Sequence, residues 1–184
     1  MLIIQMTMFV IGTIIILFVS KKSLGDFKAH GFYRFFVFEF TLLLVALNIP
    51  FWISKPFSPL QILSWIFLTF SLYPLIASVY LLKKLGGPRK RDEQYANFKF
   101  ENTTRLVTDG IYKYIRHPMY SSLLFLCLGA LLKNISVYTV LITMSTIFFL
   151  VFTAKAEETE NINFFGQPYK DYMKTTRMFI PFFF

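Results

Sequence analysis

The sequence predicts an all-α integral membrane protein with about five transmembrane helices, of which the last two form a tight hairpin. Only 16% of the 184 residues are charged, whereas soluble domains usually carry about 25%. A helix needs roughly 20 apolar residues to cross the hydrocarbon core. Five runs contain no Asp, Glu, Lys or Arg, at residues 1–20, 40–54, 56–82, 117–132 and 134–154. This pattern excludes an ordinary water-soluble enzyme and a disordered chain, and the lone Cys127 excludes a disulfide scaffold.

The basic residues predict the orientation of these helices. The net charge is +9, and 17 of the 19 Lys and Arg residues follow the first, third and fifth apolar runs. Only Lys55 and Lys133 follow the second and fourth runs. Cytoplasmic loops of membrane proteins carry such an excess of Lys and Arg. We therefore expect the N-terminus outside and the long polar loop, the active site and the C-terminus in the cytoplasm, with no nucleic acid as partner.

One domain is expected over residues 1–184. Residues 1–82 supply three helices, at about 2–20, 32–53 and 60–82, and Pro74 should kink the third. Residues 83–184 supply a polar loop, the helical hairpin and an amphipathic aromatic tail that caps a cofactor pocket. No metal site is expected, because Cys127 is buried in an apolar run.

The hairpin is the most informative element. Its first helix, 118–132, reaches only about 22 Å, which is less than a hydrocarbon core of about 30 Å. The second helix starts near 136 and continues past the membrane. Counting from the turn at Lys133, this second helix overshoots the first by two turns. Its acids Glu157 and Glu158 should therefore stand over the start of the first helix.

A basic segment opens that first helix. Pro118 suits the first helical turn, where the missing amide proton costs nothing. The free backbone amides there, together with Arg116, predict an anion site. His117, the two acids and nearby tyrosines would complete a pocket for a ligand that carries both charges, such as an amino acid or its adenosyl derivative.

Simpler explanations exist for each of these residues taken singly. A solvated helix end would explain the acids Glu157, Glu158 and Glu160, and an interfacial cap would explain His117. Glu39 lies inside the second helix, where carboxylates are functional suspects. We expect it to pair with Arg34 or to extend toward the interface rather than to bind substrate.

A series of motifs occurs in order along the second half of the chain. They are Leu106-Val107-Thr108-x-Gly110-x-Tyr112-x-x-x-Arg116-His117-Pro118-x-Tyr120, Glu157-Glu158 and Phe165-Gly166-x-x-Tyr169-x-x-Tyr172. This order resembles the isoprenylcysteine carboxyl methyltransferase family, whose core is shared by the related phospholipid N-methyltransferases. The resemblance covers roughly residues 100–182. The first three helices match only in being apolar and of suitable number.

The resemblance implies S-adenosyl-L-methionine as cofactor, bound by the last two helices and the loop beside them. Glu157, nine residues before Gly166, takes the place of the family's cofactor-binding acid, and Asn97 falls near a polar contact. Where those enzymes carry a substrate-binding arginine, this chain has Thr153, with Lys155 nearby. The cofactor-binding residues carried over are Thr104, Arg105, Leu106, Val107, Tyr112, His117, Pro118, Met119, Tyr120, Glu157 and Glu158.

The resemblance also implies an activity. We expect a membrane methyltransferase that methylates a lipophilic acceptor, foremost the C-terminal carboxylate of a prenylated cysteine, with membrane lipids as its surroundings. A carboxylate needs no general base, so none is assigned. Three alternatives remain: a phospholipid amine N-methyltransferase, for which Glu157, Glu158 or His117 would be candidate bases; an NADPH-dependent enzyme like the sterol reductases, whose chains are much longer; and a non-catalytic membrane scaffold.

Overall fold

The computed structural model describes residues 2–87, 98 and 101–182. Within these ranges the chain is mainly helical, and an isolated bridge joins Ile115 to Arg177. Short 3-10 helices occur at Ile49–Phe51 and Gly110–Lys113. The α-helices are α1 Leu2–Ser20, α2 His30–Asn48, α3 Pro59–Leu85, α4 Pro118–Leu131, α5 Val137–Phe165 and α6 Gln167–Thr175. The predicted all-α class is confirmed.

Length and composition agree with a multi-pass membrane protein. Four of the described helices are long and apolar enough to cross a membrane: α1, α2 with its 3-10 extension, α3 and α5. The apolar helix α4 has 14 residues and measures about 21 Å, whereas the 29 residues of α5 measure about 43 Å. Large apolar side chains cover the outer faces of α1 and α3, as expected for helices surrounded by lipid.

The helices pack in two main pairs, α3 with α4 and α2 with α5, while α1 lies against α2. One core cluster joins α2, α4, α5 and the chain after α6. Its buried members are Val37, Tyr120, Leu124, Leu150, Ala154 and Phe179. Because Tyr120 is in the first turn of α4, this cluster supports the polar segment that precedes the helix.

Polar contacts between helices fix the other end of the bundle. Ser64 of α3 donates a hydrogen bond to the carbonyl of Gly129, at 2.7 Å. Asn48 of α2 donates to the carbonyl of Ala130, also at 2.7 Å. The buried ammonium of Lys133, in the turn after α4, donates to Gln61 Oε1 at 3.1 Å and lies 3.7 Å from the Trp65 ring centroid. Such interhelical bonds stabilise helices in lipid, and here they anchor the turn between α4 and α5 to its neighbours.

One predicted ion pair is wrong. Glu39 accepts a hydrogen bond from Thr13 of α1 at 3.0 Å, whereas Arg34 pairs with Glu101 of the loop before α4 at 3.0 Å. Residues five apart are rotated by about 140° around an α-helix. Glu39 and Arg34 therefore face different neighbours and cannot meet.

The close approach of α3 and α4 gives a prediction about stability. A Cβ atom on Gly129 would lie 2.8 Å from Leu68 Cγ and 3.1 Å from the Leu68 backbone nitrogen. Gly129→Ala should therefore destabilise the protein by about 1–3 kcal/mol, the usual cost of overpacking. Thermal unfolding in detergent measures the effect. Gly25→Ala is the matched control, because nothing lies within 4 Å of its added methyl group. Equal midpoints for the two variants would contradict this account of the packing.

Candidate functional site

A narrow polar cavity lies where the start of α4, the last third of α5, α6 and the loop before α4 converge. Its volume is about 60 Å³, well below the roughly 300 Å³ of a typical small-molecule pocket. A ligand of cofactor size therefore requires part of the wall to move. The lining residues are Leu82, Glu101, Thr103, Leu106, Val107, Tyr112, Arg116, His117, Pro118, Met119, Tyr120, Glu157, Glu160, Asn161, Phe165, Tyr169 and Tyr172.

Arg116 links three segments of the chain. Its Nε donates to Glu158 Oε1 at 2.7 Å, and its Nη1 donates to the carbonyls of Met173 and Thr176. Its backbone nitrogen donates to the carbonyl of Arg177 at 2.7 Å. The guanidinium thereby holds the end of α6 against α5. The Nε and Nη1 donors of Arg116 are thus directed at a carboxylate and two carbonyls, and Arg116 also lines the cavity. Its contact with a bound anion stays a prediction.

His117 is buried between two acids. Its Nε2 lies 3.4 Å from Glu158 Oε1, and its Nδ1 lies 3.7 Å from Glu157 Oε2. Its ring stacks on that of Tyr120, with centroids 5.3 Å apart. Burial alone would lower the pKa of His117, but the two carboxylates outweigh it and raise the pKa above its ordinary value. The side chain makes no capping bond to α4, so a role as helix cap does not explain it.

The two neighbouring acids of α5 point in different directions, because consecutive residues of a helix are about 100° apart. Glu158 is buried and bonds to Arg116 and His117, and it does not line the cavity. Glu157 does line the cavity. Beside it, the buried hydroxyl of Tyr120 has no hydrogen-bond partner of good geometry in the described part of the chain. A solvated helix end does not account for this pair of acids.

The structure adds residues that the sequence did not reveal. Glu160 accepts hydrogen bonds from the backbone nitrogen of His30 at 2.8 Å and from its ring at 2.7 Å, which fixes α5 to the start of α2. Glu160 and Asn161 line the cavity three and four residues after Glu157, so they share its helix face. The spacing of these residues could therefore have predicted that they line the cavity. No sequence signal could have predicted the contact of Glu160 with α2, because that contact depends on which helices pack together.

Tyrosines of α6 close the side of the cavity. The hydroxyl of Tyr172 donates to the carbonyl of Tyr112 at 2.6 Å. Tyr169 contacts the rings of Phe165 and Tyr172. Burial raises the pKa of Tyr112 well above its ordinary value, so its phenol remains neutral. These aromatic rings give the cavity an apolar wall opposite its acids.

The loop before α4 forms another wall and is held by α2. Arg34 Nη1 lies 3.0 and 3.3 Å from the two carboxylate oxygens of Glu101, and its guanidinium carbon lies 4.3 Å from the Phe98 ring centroid. Glu101 also accepts a hydrogen bond from the backbone nitrogen of Phe98 at 2.7 Å. Burial raises the pKa of Glu101, although Arg34 opposes this effect. Because burial is the larger effect, the carboxylate lies where its charged form is costly.

Five predicted site residues lie away from the cavity wall. Thr104 and Arg105 are exposed, and the Thr104 hydroxyl donates to the carbonyl of Gly87 at 2.7 Å. Thr153 is completely buried, and its hydroxyl donates to the carbonyl of Phe149 within α5. Lys155 is exposed, and Glu158 lies behind the wall. Asn97 is outside the described residues. The predicted residues that line the cavity are Leu106, Val107, Tyr112, His117, Pro118, Met119, Tyr120 and Glu157.

The position of His117 gives a prediction about pH. Its pKa is raised in the folded protein, so its ion pairs stabilise the fold fully below the unfolded pKa of about 6.5. This stabilisation should be lost as pH rises through the raised folded pKa. Thermal unfolding in detergent from pH 6 to pH 9 should show the decline in the unaltered protein. His117→Gln should flatten it, and the exposed variant Thr159→Ala should keep it. The same slope in His117→Gln would refute the assignment.

Comparisons with known proteins show which proteins this chain is similar to. The model of the family Phospholipid methyltransferase matches residues 89–168. Protein-S-isoprenylcysteine O-methyltransferase from Schizosaccharomyces pombe is 40% identical over 78 residues, which are 41% of this chain and 33% of the relative. The protein of the same name from Dictyostelium discoideum is 29% identical over 157 residues, which are 78% of this chain and 61% of the relative.

The alignments thus span about a third and three-fifths of the lengths of these curated relatives. No solved structure matches the chain. The family match contains the cavity residues from Glu101 to Phe165, whereas Leu82, Tyr169 and Tyr172 lie outside it. These matches confirm the resemblance of the chain to the isoprenylcysteine carboxyl methyltransferase family and to the phospholipid methyltransferases related to it.

Proposed function

We propose that this protein is an integral membrane methyltransferase that uses S-adenosyl-L-methionine to methylate a lipophilic acceptor. The foremost acceptor is the C-terminal carboxylate of a prenylated cysteine, which becomes a methyl ester. The observation that carries the proposal is the convergence of His117, Tyr120 and Glu157 on one cavity, inside the segment that the methyltransferase family matches. The names of the two curated relatives support the same chemistry.

The residues of the cavity suit the proposed methyl donor. When bound, this cofactor supplies an electrophilic methyl group on a sulfonium, and it also carries an ammonium and a carboxylate. Glu157 offers a carboxylate to the cationic groups, and His117, whose pKa is raised, lies beside that carboxylate. The buried Tyr120 hydroxyl makes no hydrogen bond of good geometry in the described part of the chain, so it is a further polar group that a ligand can contact. Phe165 and Tyr169 offer aromatic faces to a purine ring.

For this reaction the protein must position the two reactants and exclude water from the cavity. An attacking carboxylate and a sulfonium carry opposite charges that cancel on the way to the transition state. A cavity with little water therefore assists the displacement, and the buried rings of Tyr112 and Tyr120 provide such surroundings. Holding two reactants in line is equivalent to effective molarities of about 10⁵ M or more. The carboxylate acceptor already carries its lone pair, so no residue is assigned as a general base.

The membrane supplies the acceptor in this proposal. A prenyl chain stays in the bilayer and enters sideways between the apolar helices, and its polar end reaches the cavity at the helix ends. The short helix α4 allows this, because it measures about 21 Å and places His117 near the level of the lipid headgroups. From the distribution of Lys and Arg, we infer that this side is cytoplasmic and that the N-terminus lies outside.

A phospholipid amine is the second candidate acceptor, and the description of the matching family model favours it. An amine must lose a proton before it attacks, so the rate would depend on a base such as Glu157. The decisive experiment is transfer of labelled methyl from S-adenosyl-L-methionine in detergent to a panel of prenylcysteine acids and phospholipid amines. We expect methyl esters of the acids. Label in the amines alone would replace the first candidate by the second.

Glu157 provides the direct test of the cofactor cavity. Glu157→Gln keeps the size of the side chain but removes its charge, so S-adenosylhomocysteine should bind at least tenfold more weakly, a loss of about 1.4 kcal/mol or more. Isothermal calorimetry measures the affinity, and thermal unfolding checks that the variant folds. Asp171→Asn, which removes an exposed carboxylate of α6, is the matched control and should bind normally.

The same calorimeter separates the remaining alternatives. Binding of NADPH in place of S-adenosylhomocysteine would indicate a reductase, and binding of neither would indicate a scaffold. Unchanged S-adenosylhomocysteine affinity in Glu157→Gln would mean that the cofactor binds somewhere other than this cavity.

A further inference from the structure

We propose that Arg34 of α2 binds the carboxylate of the methyl acceptor, and that this carboxylate displaces the carboxylate of Glu101 from the guanidinium. This inference rests on the proposed function, since it names the residue that selects an acid as the acceptor. It concerns a helix outside the segment that the family model matches, residues 89–168. The site would thus take its selectivity from the N-terminal half of the chain.

The register of two helices brings Arg34 to the level of the site. His30 contacts Glu160 at one end of the interface between α2 and α5. Two turns further along α2, the ring of Phe36 stacks on that of Phe149, with centroids 4.7 Å apart. The helices therefore run antiparallel, and Arg34 lies level with residues 152–154 of α5. Thr153 is the position at which the resemblance would place a substrate-binding arginine.

The side of α2 that carries Arg34 packs toward α4 and α5. Val37, three residues further on and therefore on the same face, is buried in the cluster that contains Tyr120 and Ala154. Arg34 is one turn closer to the start of α2 than Val37, and it pairs with Glu101, which lines the cavity. A guanidinium on α2 thus stands near the position where α5 carries a neutral threonine.

Among the described residues near the cavity, other basic side chains also contact acids, and His30 does so through Glu160. Arg116 is held by Glu158 and two backbone carbonyls, and His117 lies between two carboxylates. Lys155 is exposed on α5. Arg34 already binds a carboxylate that is part of the cavity wall, since Glu101 lines the cavity. Guanidinium groups prefer such carboxylate partners, and the acid of an acceptor offers the same group.

The exchange of one carboxylate for another is physically reasonable at this position. Glu101 sits in a loop, and burial raises its pKa, so its charged form is disfavoured where it lies. Release of Glu101 toward water relieves that penalty and opens a wall of a cavity of only about 60 Å³. The incoming carboxylate keeps the guanidinium paired, so no buried charge is left alone.

The experiment compares an acid with its neutral analogue. N-acetyl-S-farnesylcysteine is the acceptor, and its carboxamide is a competitor that lacks the charge. We expect Arg34→Met to raise KM for the acid at least tenfold and to leave the inhibition constant of the carboxamide within twofold. The affinity for S-adenosylhomocysteine should also stay within twofold. Arg34→Lys, which keeps the charge, should recover part of the loss.

Glu101→Gln distinguishes exchange from a purely structural role of the pair. If Glu101 competes with the acceptor, this variant should lower KM for the acid, the opposite of the effect of Arg34→Met. If the pair only anchors the loop, both variants should raise KM together and weaken the carboxamide equally, and the inference falls. The Glu101→Gln measurement stands alone if Arg34→Met does not fold.

Failure of the proposed function has a different signature. The unaltered protein would then bind no S-adenosylhomocysteine and would methylate no acceptor. If the unaltered protein does methylate the acid but Arg34→Met leaves KM within twofold, the proposed function stands and the role of Arg34 is refuted.

Discussion

The ion pair between Arg116 and Glu158 is the contact on which the rest of the site depends. It joins the residues before α4 to the last third of α5, and the same guanidinium binds the carbonyls that follow α6. His117 and Glu157 each neighbour one member of the pair in sequence. Because neighbouring residues on a helix project in different directions, fixing Glu158 behind the wall turns Glu157 toward the cavity. One buried ion pair thereby sets the direction of the acid proposed to bind the cofactor.

The convergence of the two helix ends was predictable from residue counts. A short turn, a helix of 14 residues and a helix of 29 leave the end of α5 above the start of α4, whatever the surrounding packing. The contributions of α2 were not predictable in this way. Glu101 and Arg34 are 67 residues apart, and nothing in their spacing shows that α2 packs beside the loop before α4. Thr104 and Arg105 failed to reach the cavity for a related reason, since a resemblance in sequence does not determine which side of a loop faces inward.

Polar residues serve two distinct purposes in this apolar chain. Near the turn between α4 and α5, Ser64, Asn48 and Lys133 use carbonyl and amide partners to hold helices together. At the opposite end, acids and bases are brought together around a space that a ligand can enter. In lipid an unsatisfied polar group is costly, so a buried hydroxyl without a good partner, such as that of Tyr120, is informative where the same hydroxyl on a water-exposed surface would not be.

Charge balance around the cavity favours an acid as the methyl acceptor. Glu101, Glu157 and Glu160 all line the space, and a cationic donor suits this excess of carboxylates. An anionic acceptor then needs a cation of its own, and α5 offers a buried threonine at the level where one is required. A cation on the neighbouring helix solves the problem without placing a new charge in α5, because Arg34 is already paired and buried. A phospholipid amine is neutral when it attacks, so its reacting group has no charge for the guanidinium to pair with.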